Sequence, residues 1–149
     1  MAHASHEATS AIDTTTTIAA PPDAVWAALT DWSLASRWMP GVTAMSGPVS
    51  PGAVVTFTVR GKDRTAVVDA LVAPRTLALL SRSGPVTALY TYTLSGSGPG
   101  TDLHLLADVT VRGPLALLAP AIRRAVARED GVQPENLRAV VEPVNRPAG

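Results

Sequence analysis

The sequence predicts an α+β fold in which a curved antiparallel sheet of about six to seven strands packs against a long C-terminal helix. Two short helices follow the first strand. Two patterns along the chain of 149 residues support this prediction. From Val55 to Val111, apolar and polar residues alternate with the two-residue period of half-buried strands. On either side of that region, apolar residues recur at spacings of three and four, as on one face of a helix.

The first helix is predicted to begin at Pro22, after a strand that ends near Thr17. Proline suits the first helical position because the backbone N–H there has no partner within the helix. Asp23 in the first turn is favoured by the helix dipole. Val25 and Leu29 share one face, which predicts that this face is buried.

A second short helix is predicted immediately afterwards. Asp31 and Ser33 are residue types that end one helix and cap the next, and Trp32 continues the apolar face of the first helix. Trp38 closes the second helix. The Pro40-Gly41 pair then directs the chain into the next strand.

The strands that follow are separated by glycine and proline turns. In the clearest pair, Tyr90 and Tyr92 lie on the apolar face, whereas His104 and Asp108 have the parity of the polar face. A sheet with one apolar face needs a cover for that face. The predicted strands span residues 55–60, 65–72, 77–83, 86–94 and 103–111.

The predicted cover is the C-terminal helix, with Arg123, Arg124 and Arg128 on its solvent side. Because Gly131 and Pro134 interrupt the helical pattern, we expect a kink or a short break near residues 130 to 134. The apolar stripe of this helix comprises Leu115, Leu118, Ile122, Val126, Leu137, Val140 and Val144.

Several of these motifs together resemble the START-like (SRPBCC) superfamily, and within it the polyketide cyclase/dehydrase and lipid-transport branch. The resemblance implies a helix-grip fold with one long C-terminal helix, and it covers about residues 12 to 144. The superfamily includes enzymes as well as hormone and lipid carriers, so the resemblance implies a fold more strongly than an activity. The motifs are Ala-Pro-Pro-x-x-Val-Trp (20–26), Leu-Thr-Asp (29–31), Trp-x-Pro (38–40), Gly52, Ala-Pro-Arg-Thr-Leu (73–77), Tyr-x-Tyr-x-Leu (90–94), Gly-Thr (100–101) and Gly-Pro-Leu (113–115).

We expect a single domain over residues 11–145, with a disordered N-terminal arm at 1–10 and a C-terminal tail at 146–149. The longest apolar run, residues 115–122, is interrupted by Pro120 and is too short to cross a bilayer. The first ten residues lack the apolar segment of a secretory signal. These features predict a cytoplasmic protein without membrane insertion.

Composition excludes several kinds of chemistry. The chain has no cysteine, so it has no thiol nucleophile or thiolate metal site. Twelve acidic and twelve basic residues give no net charge, which disfavours nucleic-acid binding. His3 and His6 lie in the predicted arm, and no cluster of metal-ligand spacing accompanies them. We therefore expect neither a metal nor another cofactor. The oligomeric state does not follow from the sequence.

A long curved sheet around one helix cannot be filled by side chains along its whole length, so we expect an internal cavity for a small hydrophobic ligand such as a lipid or a polyketide. Tyr90 and Tyr92 are favoured as lining residues because a buried hydroxyl needs a partner. The alternative is that the candidate residues simply pack together. The candidate lining residues are Trp38, Met39, Met45, Phe57, Val59, Leu79, Tyr90, Tyr92, Leu105, Ala107, Val109, Leu118 and Ile122.

Two other functions stay open. A polyketide cyclase, aromatase or dehydratase would need acid–base groups in the cavity, with Tyr90, Tyr92 and Arg82 as candidate polar participants. The parity of His104, and of Arg60, Arg82 and Arg112, favours solvated surface positions, so the sequence leans away from an enzyme and identifies no catalytic residue. The other alternative is a partner-binding module that uses Trp38 and Met39 as an exposed apolar patch.

Overall fold

A computed structural model describes residues 9–145 of the chain. Residues 1–8 of the predicted arm (1–10) and the predicted tail at 146–149 lie outside this range, whereas Ser10 is the first residue of a strand. The elements, in chain order, are β1 (Ser10–Ile18), α1 (Pro22–Leu29), a 3₁₀ turn (Trp32–Leu34), α2 (Ala35–Trp38), β2 (Val42–Ser46), β3 (Val54–Val59), β4 (Lys62–Val72), β5 (Thr76–Ser83), β6 (Val86–Ser97), β7 (Gly100–Val111), a second 3₁₀ turn (Gly113–Leu118), α3 (Ala119–Asp130) and α4 (Gln133–Asn145).

The seven strands form one antiparallel sheet in the order β1-β7-β6-β5-β4-β3-β2. The chain moves across the sheet by hairpins from β2 to β7, and β1 pairs with β7 at the edge. Register shifts in β1, β2 and β4 interrupt the ladders, and such irregularities bend strands. The predicted α+β fold with a curved sheet is confirmed.

The two short helices form as the sequence predicts. Pro22 occupies the first turn of α1, and Val25 and Leu29 are fully buried. The carboxylate of Asp31 accepts a hydrogen bond of 3.1 Å from the backbone N–H of Ser33, which caps the first 3₁₀ turn. This local cap marks the start of the 3₁₀ turn that connects α1 to α2.

The C-terminal segment consists of two helices rather than one long helix. α3 ends at Asp130 and α4 begins at Gln133, so the predicted break near residues 130 to 134 is confirmed. A Cβ atom at Gly131 would lie 2.5 Å from the carbonyl oxygen of Ala127, so the break uses a residue without a side chain. Within residues 9–145 no helix is long and apolar enough to cross a membrane.

The apolar stripe predicted for the C-terminal helix is wrong in its first part. Leu115 and Leu118 belong to the second 3₁₀ turn, which buries none of its residues, and both are exposed. Val126 packs against the core from α3. The buried part of the cover is α4, where Leu137 and Val140 pack into the core, with Val141 beside them.

Polar contacts hold α4 over the edge of the sheet. The hydroxyl of Thr16 on β1 donates to the carboxylate of Glu135, and the backbone N–H of Ala19 donates to Glu142 at 3.0 Å. The side chain of Asn136 donates to the backbone oxygen of Trp38, 3.2 Å away. These contacts fix the start of α4 relative to α2, and this region forms one wall of the cavity described next.

Candidate functional site

A cavity of about 330 Å³ lies between the middle strands of the sheet and the junction of α3 with α4. The sheet contributes inward-facing residues of β2 to β6, because alternate side chains of a strand point to the same face. The loop after α2 contributes Met39 and Pro40, and the first residue of β2 contributes Val42. The helical junction contributes Asp130 and Gln133.

Seven of the thirteen residues predicted to line a cavity border this one. They come from four strands and from the residue that follows α2, so the structure brings together positions that are far apart in the chain. Whether they bind a ligand stays a prediction. The seven are Met39, Met45, Phe57, Val59, Leu79, Tyr90 and Tyr92.

Trp38 lies behind the cavity wall rather than at its mouth. Its side chain is only 1 % exposed, and its ring packs edge-on against Tyr92 with 5.6 Å between ring centroids. Met39 is also buried, at 8 % exposure. The hypothesis of an exposed apolar patch around Trp38 and Met39 is therefore wrong, because these side chains complete the core.

The other predicted lining residues lie elsewhere. Leu105, Ala107 and Val109 face inward on β7 but are fully buried in packed surroundings, and they do not border the cavity. Ile122 is half-buried on α3, and Leu118 is 52 % exposed. The physical reason is that α3 lies over β1 and β7, whereas the cavity lies over β3 to β6.

Two tyrosines of β6 connect the sheet to the helical junction. The hydroxyl of Tyr90 donates a short hydrogen bond to the carboxylate of Asp130, and the hydroxyl of Tyr92 donates to the side-chain oxygen of Gln133 at 2.6 Å. Both acceptors flank the break between α3 and α4. The junction of α3 and α4 thus presents both acceptors, three positions apart in the chain, to the two tyrosines of β6.

The surroundings shift the pKa values of these groups. Burial raises the pKa of Asp130, and the charge of Glu129 adds to this, while the hydrogen bond from Tyr90 and the charge of Arg60 act in the opposite direction. Burial and the nearby Asp130 charge raise the pKa of both Tyr90 and Tyr92. The tyrosines are thus hydrogen-bond donors, and Asp130 is a carboxyl group with a raised proton affinity inside the cavity.

A second polar group lies toward the other end of the cavity. The guanidinium of Arg64 donates to the hydroxyl of Ser83 at 2.6 Å, and Ser81 lies between them and the tyrosines along β5. Arg60 borders the cavity and forms an ion pair of 3.4 Å with Glu129. This ion pair joins the β3–β4 turn to α3 across the cavity rim.

Arg60 is exposed, as expected for a solvated charge at a strand end, but its side chain also borders the cavity. Arg60 has φ of 50° in the turn before Gly61, so it no longer follows the alternation of β3. Its side chain lies against Gly41, where a Cβ atom would be 3.2 Å from the Arg60 side chain. Arg82, the arginine proposed as a polar participant, is exposed and does not border the cavity.

Some cavity residues were missed although the sequence carries a signal for them. Arg64 shares the parity of Ala66 and Val68, but the predicted strand began one residue later, at Thr65. Ser81 and Ser83 share the parity of Leu79 on β5. By contrast, Asp130 and Gln133 carry no local signal, because the sequence pattern does not show which strands the junction of the two C-terminal helices faces.

His104 lies on the outer face, as its parity predicts, and is 2.6 Å from the carboxylate of Asp13 on β1. It is paired across the ladder with Thr15 and Thr93, which share that face. Among residues 9–145 there is no group of three or more side chains that could hold a metal ion.

A family model described as "Polyketide cyclase / dehydrase and lipid transport" matches residues 9–142 of this chain. The match includes all seven strands and nearly all of both C-terminal helices. A search among curated proteins found no match.

Solved structures with the same fold are known. The Zhui aromatase/cyclase from Streptomyces sp. R1128 is 22% identical, with a TM-score of 0.72 over 92% of this chain and 96% of that one. A START superfamily protein from Mycobacterium smegmatis is 14% identical, with a TM-score of 0.72 over 89% and 97% of the two chains. DynU16, described as a putative protein in the dynemicin biosynthetic locus, is 21% identical, with a TM-score of 0.66 over 88% of this chain and 46% of that one. At these identities the likeness shows the fold alone.

Proposed function

Because the chain belongs to the polyketide cyclase/dehydrase and lipid-transport family, we propose that it binds a small hydrophobic ligand in the cavity above β3 to β6. The observation that carries this proposal is the cavity itself. Its walls include apolar side chains such as Phe57 and Leu79, with polar groups at two separate places. Ligand pockets commonly combine apolar walls with a few placed polar groups.

The size of the cavity supports a compact ligand. A volume of 330 Å³ is at the lower end of the range of about 300–1,000 Å³ for small-molecule sites. The polar groups at the two ends favour a molecule that carries carbonyl and hydroxyl oxygens, because Arg64 has N–H donors beyond the one that Ser83 accepts and the hydroxyl oxygen of Tyr90 can accept. A compact polyketide-like molecule fits both features better than a long-chain lipid does.

The proposal can be tested with the fluorescent probe 1-anilinonaphthalene-8-sulfonate and with a variant that fills the cavity. Ala88 borders the cavity on β6, so Ala88→Phe should reduce probe binding by at least about tenfold. Thr87→Phe is the matched control because the neighbouring residue points to the opposite face. Equal binding by the wild type and by both variants would place the probe outside the cavity and contradict the proposal.

Native mass spectrometry of the purified protein supplies a second test. A small molecule that co-purifies with the wild type and with Thr87→Phe, but not with Ala88→Phe, would support ligand binding in the cavity. Its mass would identify the ligand class. A co-purified mass that both variants retain would argue against the cavity as its site.

A second candidate function is a cyclase or dehydratase that acts on a polyketide-like substrate. The observation that favours it is the pair formed by Tyr90 and Asp130, since an enzyme of this kind needs a titratable group inside the cavity. In a dehydration, the Asp130 carboxylate would take a proton from the carbon next to a carbonyl group. Once Asp130 is protonated, the O–H of Tyr90, which pairs with that carboxylate in the resting protein, would be free to donate to the enolate oxygen. Asp130 would then pass its proton to the hydroxyl group two carbons away, which leaves as water as the C=C bond forms.

This second function predicts a separation between binding and turnover. With an aromatic β-hydroxy ketone as the model substrate, Asp130→Asn should abolish formation of the conjugated enone, because the amide cannot accept the proton. The same variant should still bind 1-anilinonaphthalene-8-sulfonate. Absence of enone formation by the wild type, with probe binding intact, would leave the carrier function and contradict the enzymatic one.

A further inference from the structure

The second 3₁₀ turn carries apolar side chains that nothing in the described chain covers. We call this segment, residues 113–118, the leucine turn. Leu117 is 90 % exposed, the highest exposure among the exposed large hydrophobic residues, and Leu115 and Leu118 are also exposed. Scattered single apolar residues on a surface are ordinary, but three leucines within four positions form a contiguous apolar surface.

The chain around the leucine turn is strongly basic. Residues 109–128 include four arginines and no acidic residue, although the whole chain has no net charge. Arg112 precedes the leucine turn, and Arg124 and Arg128 follow it on α3; all three are exposed. Arg123 is half-buried, and its guanidinium donates to the backbone oxygen of Val109 at 2.8 Å, which fixes α3 on β7.

The segment thus combines exposed apolar side chains with neighbouring positive charge. This combination is typical of segments that bind the interface of anionic membranes, where apolar side chains enter the headgroup region and arginines contact lipid phosphates. An anionic bilayer complements both features at once. A second copy of this chain would bring the arginines of the two copies together, which is unfavourable.

The leucine turn is also connected to the cavity. The backbone N–H of Arg112 donates to the carbonyl oxygen of Pro85, in the turn between β5 and β6. Ser83 and Val86 on either side of that turn border the cavity. Any partner that binds the leucine turn would therefore lie beside the end of the cavity that is farthest from Tyr92.

We propose that the leucine turn and the arginines beside it form a docking surface for an anionic lipid bilayer. The association is peripheral: the three leucines enter the interface, and Arg112, Arg124 and Arg128 contact the phosphates of the lipid headgroups. The proposal goes beyond ligand binding in the cavity, since either property can exist without the other.

Co-sedimentation with vesicles tests the docking surface. The wild type should bind phosphatidylcholine vesicles that contain about 30 % phosphatidylglycerol, and it should bind pure phosphatidylcholine weakly. Raising the salt concentration from about 0.05 M to about 0.5 M should weaken the association, because salt screens exposed charges. No binding to the anionic vesicles at low salt would overturn the proposal.

Two variants locate the surface. Leu117→Asp should weaken vesicle binding about tenfold, because the apolar contact is lost, and Arg124→Glu should weaken it at least about fivefold. Val72→Asp and Arg75→Glu are matched controls at the opposite end of β5; both residues are exposed, Val72 to 58 %. Losses of equal size in the controls would overturn the assignment to the leucine turn.

Two further measurements separate the alternatives. Leu117→Asp should leave the melting temperature and the binding of 1-anilinonaphthalene-8-sulfonate unchanged, so a failure of docking is distinguishable from a failure of the cavity proposal. Light scattering after size exclusion should give the same mass for the wild type and for Leu117→Asp. A dimer that this substitution dissociates would overturn the proposal in favour of an interface between copies.

Discussion

The hydroxyl of Tyr90 on β6 donates a hydrogen bond to the carboxylate of Asp130, the last residue of α3, although 40 positions separate the two residues. The contact joins the middle of the sheet to the end of a helix across the cavity. Asp130 is partly buried beside Glu129, whose own carboxylate pairs with Arg60. The cavity therefore contains a carboxyl group whose charged form is disfavoured by burial. The hydroxyl group of Tyr90 donates a hydrogen bond to that charged form and stabilises it.

Asp130 should make the stability of the protein depend on pH. Burial and Glu129 raise the pKa of Asp130 above its ordinary value of 3.8. Between pH 3.8 and this raised pKa, the folded protein therefore binds more protons than the unfolded chain does. The contribution of Asp130 to the free energy of unfolding therefore falls as the pH rises through this window and is constant above it. Asp130→Asn removes this titration and keeps an oxygen that can accept from Tyr90.

Chemical denaturation at a series of pH values measures the effect. The free energy of unfolding of Asp130→Asn, relative to the wild type, should increase from about pH 4 upward and then level off. Asp69→Asn, at an exposed position on β4, is the control for the loss of a carboxylate outside the cavity. A difference that decreases with pH would mean that the pKa of Asp130 is lowered in the folded protein.

Tyr92→Phe should destabilise the fold through Gln133. The hydroxyl of Tyr92 is the donor to the buried side-chain oxygen of Gln133, so its removal leaves that oxygen without this hydrogen bond. The expected loss is about 1–3 kcal/mol in the free energy of unfolding, measured by urea denaturation. Thr93→Val changes a hydroxyl on the opposite face of β6 and should cost less than about 1 kcal/mol.

Two leucine-to-alanine substitutions should distinguish the core from the cavity wall. Leu105 is fully buried on β7, so Leu105→Ala should cost about 2–5 kcal/mol with little change in probe binding. Leu79 borders the cavity, so Leu79→Ala enlarges an existing space. We expect Leu79→Ala to change the affinity for 1-anilinonaphthalene-8-sulfonate and to destabilise less than Leu105→Ala does. If Leu105→Ala changed the probe affinity more than Leu79→Ala and destabilised the fold less, the probe would bind over β7.

His104→Ala should leave ligand binding unchanged. The imidazole lies on the outer face of the sheet and contacts Asp13, and side chains on that face cannot reach the cavity. Since the pair is exposed, its loss should change the free energy of unfolding by no more than about 1 kcal/mol. A large loss of probe binding in His104→Ala, with none in Tyr92→Phe, would contradict the assignment of faces.

The strands were the most predictable part of the fold and of the site. Alternation along β6 identifies Tyr90 and Tyr92 as inward-facing, and the same rule applies to Phe57 and Val59 on β3. Arg64 was missed because the predicted start of β4 excluded it. Alternation gives the face of the sheet but not the position across it, so it could not separate Leu79 at the cavity from Leu105 in the core.

The sequence by itself determined the strands, the two short helices, the inward faces of β3, β6 and β7 and the break after Asp130, because these depend on local alternation, capping and the properties of glycine and proline. Only the tertiary structure decided which inward-facing side chains meet a cavity and which meet another element. α3 covers β1 and β7 and leaves β3 to β6 open, and the packing of the helical junction on the sheet brings Asp130 and Gln133 within hydrogen-bond distance of the two tyrosines. These are consequences of how elements distant in the chain pack together, and no local pattern encodes them.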